Sequence, residues 1–329
     1  MSCRQLSAFG RELVEMELRR LPANDVIEVG WEPEYYGAAH LIAGMCGRND
    51  IRPYAPKTWL HGWQFIKPLK FINQIIFWGD EKNAHMVHTR EQRDFARSQG
   101  YKFAEAIGAP FTYVGKSSFQ RIPNSLLVMP PHGIPQAEIK DFPYDYLDYM
   151  ADLRKEFDVV AACIHPHDCK NGQWPRELSK LGIPWTTGAS VDDRNALFRM
   201  RALFDLFDFM TTNAVGSHVA YSALCGCKIS VSGPFHKWDK EMYADDRWYD
   251  DKQELLEYAL ISNDENHIRN YYGHLFCRPS YAAPAVAWAE KELGSDCRKS
   301  PSQLARLFGW TKTARILDDL RGKKYAYAI

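Results

Sequence analysis

No apolar run in the 329 residues approaches the ~18 that a membrane-spanning helix needs, so no transmembrane segment is expected. The opening stretch MSCRQLSAFGRELVEMELRR is amphipathic and is not built like a signal peptide, which predicts a cytoplasmic protein. Neither charge sign is in excess, with 41 Lys plus Arg against 41 Asp plus Glu, and no basic stripe interleaves with aromatics; no nucleic-acid partner is expected. The eight cysteines fall at spacings such as Cys163/Cys169 and Cys225/Cys227, without a CxxC. They read as reduced thiols in a core, not as a disulfide framework or a zinc site. No GxGxxG follows the early apolar stretch VIEVG, which disfavours a dehydrogenase. VGKSS at 114–118 lacks the phosphate-loop spacing, so Gly115, Lys116 and Ser117 read as linker residues.

What the chain does have is length, aromatic side chains and alternation. Ten Trp and seventeen Tyr can pack a core or line a sugar site. A helix is predicted over 3–21, a buried strand at 26–30, a helix in EYYGAAHLIAGMCG, and short strands in KTWLHGW and NAHMVHT. The helix REQRDFARSQG and a strand within AEAIGAPFTYV complete one unit, ending near residue 120. After KSSFQRIPNS a second series begins, with strands in SLLVMPPHG, DVVAACIHPHD and IPWTTGAS and helices in YDYLDYMADLRKEF, WPRELSKLG and DRNALFRMRALFDLF. It closes on the unit FMTTNAVGSHVAYSALCGCKISVSGPF, and the remainder is helical. Strands separated by helices imply parallel sheets with right-handed crossovers. The predicted class is α/β, with two Rossmann-like domains facing each other across a cleft: residues 1–120 as the acceptor domain, and 121–329 as the nucleotide-sugar-binding domain with a helical tail.

In such sheets ligands lie beyond the carboxyl ends of the strands, which gives the motifs their places. Thr211, Thr212 and Asn213 end one strand, and Gly216, Ser217 and His218 open the following helix. Free N–H groups and the helix dipole there suit a phosphate, although Asn213 and Ser217 also fit plain turn and capping roles. Gly233 and Pro234 rim the neighbouring strand end, in VSGPF. In CIHPHDCKNG, His165, Pro166, His167 and Asp168 follow a buried strand; an imidazole there can donate to a leaving phosphate. Metal chelation by His165, His167 and Asp168 is the rival reading, but no distant further ligand is announced by spacing. His132 and Gly133, in LVMPPHGIP, repeat the pattern near the domain boundary. Candidates for a general base in the first domain are His61, in TWLHGWQF, and Asp80 and Glu81, in FWGDEKN.

With IHPHD on one strand end and TTNAVGSHVAYSALCG on a later one, the two-domain series resembles bacterial surface-polysaccharide glycosyltransferases of the GT-B fold. MVHTREQRDFARSQGYKFAEAIGAPFTYV resembles the N-terminal half of capsule and lipopolysaccharide transferases. The His-Pro pair followed by hydroxyls at a helix start is similar to sialyltransferases and Kdo transferases, which use CMP-activated acidic sugars. The resemblance implies that His165 and Pro166 match the dipeptide, and that Thr212, Asn213 or Ser217 contact the donor phosphate. It implies a carboxylate base in the first domain; GDE at 79–81 has its glycine in front of the carboxylates where those enzymes have it behind, so His61 competes for the role. The expected activity is metal-independent transfer of a sugar from a nucleotide-activated donor, CMP-linked in preference to UDP-, GDP- or dTDP-linked, to a glycan or lipid-linked glycan, with no other cofactor. The lack of an evident Asp-x-Asp agrees with that chemistry. Association with the inner face of the membrane is compatible with such an acceptor. A nucleotide-sugar epimerase or hydrolase of the same fold and a non-catalytic sugar-binding protein are the alternatives.

Overall fold

The computed structural model describes residues 3–30, 32–48, 58–133, 139 and 141–311, with side chains from residue 10 onward. Helices α1 (Cys3–Arg19) and α2 (Ala38–Met45) precede a small parallel sheet of β1 (Thr58–Trp59), β2 (His85–Val87) and β3 (Ala104–Ala106), paired in that order. Helix α3 (Arg90–Ser98) joins β2 to β3, and its start is fixed by a capping box in which Thr89 accepts from the Gln92 N–H. In the second unit β4 (Ile122–Val128), α4 (Tyr144–Leu153), β5 (Val159–Ile164), α5 (Pro166–Cys169), α6 (Gln173–Leu181), β6 (Trp185–Thr187), α7 (Ala196–Leu206), β7 (Phe207–Thr212), α8 (Ser217–Leu224) and β8 (Lys228–Val231) follow one another. Its strands pair in parallel in the order β6-β5-β4-β7-β8. The end of the described chain carries α9 (Gln253–Ser262), α10 (Glu265–Tyr272), α11 (Val286–Glu292) and α12 (Pro301–Leu307). The mixed α/β class with parallel strands agrees with the sequence pattern.

The period-two geometry of strands explains the apolar runs that predict the central elements. On β5, Val159, Ala161 and Cys163 join a core that includes Val14 and Leu18 of α1, Leu203 of α7 and Ala220 of α8. The intervening Val160, Ala162 and Ile164 join the opposite core with Leu147 and Met150 of α4 and Leu178 of α6. Both faces of the larger sheet are therefore covered by helices. Each fully buried Val, Leu, Ile or Met side chain of this set stabilises the fold by roughly 1.5–3 kcal/mol.

Three features depart from the sequence reading. Residues 26–30 form no strand; Val26 makes only an isolated bridge with Asp193, and the Ile27 N–H donates to the Asp192 carbonyl at 2.8 Å. Val26 is 72% exposed, and without a neighbouring strand its β-branched side chain alone does not make a ladder. The helix expected through EYYGAAHLIAGMCG is split: Glu32–Gly37 is a 3₁₀ turn kinked at Tyr35 and Tyr36, and only then does α2 begin. Helix α1, which the order along the chain assigns to the first unit, packs against β5 and β6 of the second sheet. The far end of the chain returns to the first sheet, where the Ala109 N–H donates to the Leu293 carbonyl at 2.8 Å. Of the expected features, the 134–135 end of LVMPPHGIP and the tail beyond 311 lie outside the described residues.

Candidate functional site

The order β6-β5-β4-β7-β8 places the start of the series, β4, in the middle, with the chain building outward first on one side and then on the other. A sheet of this order has its topological switch point between β4 and β7, where ligands bind beyond the strand ends. A cavity of about 480 Å³ lies there, within the range that holds a small ligand. Met129 to His132 after β4, His165 after β5 and Ala214 to His218 after β7 all line it. His61 and Gly62 after β1, together with Tyr36, form a further part of the wall, and Trp238, Tyr243 and Asn263 come from the later chain.

The helix start is open for a ligand. Gly216 precedes α8 without a capping side chain, so the first N–H groups and the positive end of the dipole are left for an anion. Ser217 also bridges the two sheets, because its Oγ accepts the Trp63 N–H at 2.9 Å and so ties the loop after β1 to α8. Tyr221 of the same helix donates to the His61 carbonyl at 2.9 Å. The approach is close, since a Cβ on Gly62 would lie 2.7 Å from Ser217 Oγ.

Desolvation of the ring nitrogens pushes the three histidines of the larger sheet towards the neutral form, with His165 and His218 half-buried and His132 keeping an exposed face. His132 and His165 stack with ring centroids 4.0 Å apart. His165 Nδ1 accepts the His167 N–H at 3.2 Å, so the neutral ring carries its proton on Nε2 as a donor. Desolvation first, and then the neighbouring imidazoles His132 and His167 and Lys170, push His165 down to about 3. His218 is pushed down to about 3 by burial and by His132, against a hydrogen bond to the Ala214 backbone. Its Nε2 is buried without a hydrogen-bond partner among the described residues. His132 is lowered by burial as well, opposed by its bond to the Gly133 carbonyl. Outside the cavity lining His88, fully buried with Nε2 on the Leu60 carbonyl at 2.7 Å, falls to about 4.

These shifts set a pH dependence. In the unfolded chain the same imidazoles take up protons near pH 6.5, whereas in the folded protein they do so only near 3 to 4. Between those limits the unfolded state binds more protons, so stability is complete above about pH 6.5 and falls as the pH drops towards 3. Each such histidine contributes a slope of up to about 1.4 kcal/mol per pH unit. Urea unfolding at pH 7.5 and at pH 5 is expected to give a lower midpoint at pH 5; equal midpoints would contradict it.

Of the residues singled out in the sequence, His61, His132, His165, Gly216, Ser217 and His218 line this one cavity. Gly133, Pro166, His167, Thr211, Thr212, Asn213, Gly233 and Pro234 surround those positions without lining it. Thr211 and Thr212 are fully buried, and Ser230 donates to Thr211 Oγ1 at 2.8 Å while Thr212 Oγ1 donates to the Ala214 carbonyl at 3.0 Å. Asn213 Nδ2 ties β7 to the Pro234 carbonyl at 2.7 Å. Asp80 and Glu81 sit on an exposed turn, where Asp80 Oδ1 accepts from the Lys82 N–H at 2.9 Å and from Asn83 Nδ2 at 3.0 Å. Among the described residues His165, His167 and Asp168 form no cluster of metal-ligating side chains; Asp168 Oδ1 accepts the Gly133 N–H at 3.3 Å.

Sequence reasoning missed Glu32, Tyr36, Trp238 and Tyr243. Glu32 is 4% exposed, and its Oε1 lies 3.4 Å from His61 Nδ1. Trp238 and Tyr243 belong to no motif, and only the chain's general richness in Trp and Tyr pointed to them. No known protein family, curated protein or solved structure matches the chain.

Proposed function

We propose that the protein is a glycosyltransferase of the two-domain GT-B kind, moving a sugar from a nucleotide-activated donor to a hydroxyl of a bacterial surface-glycan or lipid-linked glycan acceptor. The supporting observation is the convergence of His132, His165 and the uncapped helix start at Gly216 to His218 on one cavity at the switch point of a parallel sheet. In this reading the donor phosphate sits on the N–H groups of α8. His165 Nε2 donates to its oxygens as the glycosidic bond breaks and negative charge develops there. Fixed donors in a part-buried cavity need no reorganisation when that charge appears, which makes them effective. His61, on the first-sheet wall, takes the acceptor proton, and Trp238 and Tyr243 offer ring faces to a sugar or base. A CMP-linked acidic sugar is the favoured donor on resemblance alone, and the cytoplasmic face of the membrane is the favoured place of action.

The test is a thermal-shift panel of CMP, UDP, GDP and dTDP at equal concentration with EDTA present. A nucleotide at about 100 times its dissociation constant stabilises the native state by roughly 2.7 kcal/mol. A shift with CMP alone supports a CMP-sugar transferase, and a shift with another nucleotide supports the wider transferase reading. No shift with any of the four counts against donor binding in this cavity. Release of free sugar from the donor at full rate without acceptor would favour the hydrolase or epimerase alternative.

A further inference from the structure

A buried carboxylate needs a partner, and Glu32 has an unusual one. It is 4% exposed, and its Oε1 and His61 Nδ1 face each other at 3.4 Å, each buried without a hydrogen bond among the described residues. An isolated buried carboxylate is strongly disfavoured, so its position opposite a cavity-lining histidine calls for a role. The segment that delivers it is strained: Tyr36, a non-glycine residue at φ 57°, is held there by its N–H on the Val191 carbonyl at 2.8 Å. The same turn clamps the imidazole, with the rings of Tyr35 and Tyr36 each centred 5.5 Å from that of His61 and Phe77 at 6.2 Å on another side. Tyr221 fixes the His61 carbonyl from α8.

Resting on the transferase reading, we infer that Glu32 is a positioning residue for His61. Its carboxylate holds the imidazole proton on Nδ1 and so leaves Nε2 as the proton acceptor at the cavity. Nε2 makes no hydrogen bond to any described residue. The other ionisable groups around His61 are otherwise engaged or neutral: Glu34 Oε2 accepts the Gly30 N–H at 2.7 Å, His88 bonds Leu60, Tyr221 donates to the His61 carbonyl, and Tyr35 and Tyr36 are held protonated by burial and by the carboxylates or phenol beside them. In the reaction the acceptor oxygen forms its bond to the anomeric carbon as its proton passes to His61 Nε2. The bond from that carbon to the donor phosphate breaks, its electron pair leaving on the phosphate oxygen. The imidazolium so formed lies beside the Glu32 carboxylate, which stabilises it until the proton passes to solvent.

Glu32→Gln keeps the size of the side chain and removes its charge. In ¹⁵N-resolved spectra of the wild-type protein at neutral pH, with His61 assigned by its loss in His61→Asn, the Nδ1–H tautomer is expected; in Glu32→Ala it is lost in favour of Nε2–H. In parallel, the nucleotide that shifts the melting temperature of the wild type should shift Glu32→Gln equally, while nucleotide release from the corresponding nucleotide sugar falls in kcat by about 10²-fold or more. An unchanged tautomer in Glu32→Ala, or wild-type kcat in Glu32→Gln, overturns the inference. Failure of every nucleotide to bind the wild type would instead overturn the transferase reading, and the tautomer of His61 would still decide whether Glu32 positions it.

Discussion

His61→Ala is expected to slow sugar transfer by about 10²- to 10⁴-fold, the usual worth of a positioned general base, without weakening nucleotide binding. The reason is a division of labour between the two walls of the cavity. The groups assigned to the donor phosphate, the N–H groups at the start of α8 and His165 Nε2, come from the larger sheet, whereas His61 follows β1 of the smaller one. Removing the imidazole leaves the helix start of α8 unchanged, because Trp63 N–H to Ser217 Oγ and Tyr221 to the His61 carbonyl are bonds to backbone groups that alanine retains. The variant should therefore keep the wild-type nucleotide-induced shift in melting temperature and lose kcat. Steady-state rates and thermal shifts on the same preparation check this. A wild-type kcat would remove His61 from the chemistry and return attention to Asp80 and Glu81 on their exposed turn, which would then have to approach the cavity through a conformational change.

Gly37→Ala should be among the most destabilising single changes in the molecule, at roughly 3 kcal/mol. Gly37 has φ 73°, and a Cβ there would lie 2.1 Å from the Arg194 carbonyl oxygen and 2.7 Å from its carbon. Both are backbone atoms that cannot rotate away. The turn also carries Glu32 and Tyr36, so a displacement large enough to relieve the clash would move the cavity wall as well. Gly47→Ala is the matched control: φ is 69°, but nothing lies within 4 Å of the added Cβ, so only the conformational cost of about 1–2 kcal/mol remains. Urea midpoints for the two variants separate the clash from the dihedral cost. Equal losses would mean that the contact with Arg194 is more yielding than its geometry indicates.

The parts of this molecule that were legible in the sequence are those with a strong local signal. β5 is an apolar run buried on both faces, and β4 and β7 contain shorter buried runs at 126–128 and 209–210. Their length against that of the helices told strand from helix, and the position of His165 or Gly216 after such a run located it at a strand end. What could not be read depended on distant partners. Residues 26–30 have strand-like composition, but the chain beside them is the irregular loop that contains Asp192 and Asp193. Helix α1 precedes the first sheet in sequence yet buries Val14 and Leu18 against the second, a choice made by available surface and not by order along the chain. Glu32 stands in WEPEYYG, a stretch with neither periodicity nor motif, and its meaning comes only from His61, 29 residues further on. Thr211 and Thr212 show the opposite error of emphasis: hydroxyls at a strand end suggest a ligand, and the structure gives their hydrogen bonds to β8 and the β7–α8 turn.

The most direct measurement is the crystal structure of the protein with the nucleotide that gives the largest thermal shift. A phosphate oxygen within about 3.2 Å of the Ser217 or His218 N–H, with His165 Nε2 donating to the same group, is the predicted result. A nucleotide found elsewhere, with the cavity between His61 and α8 left to solvent, would contradict it.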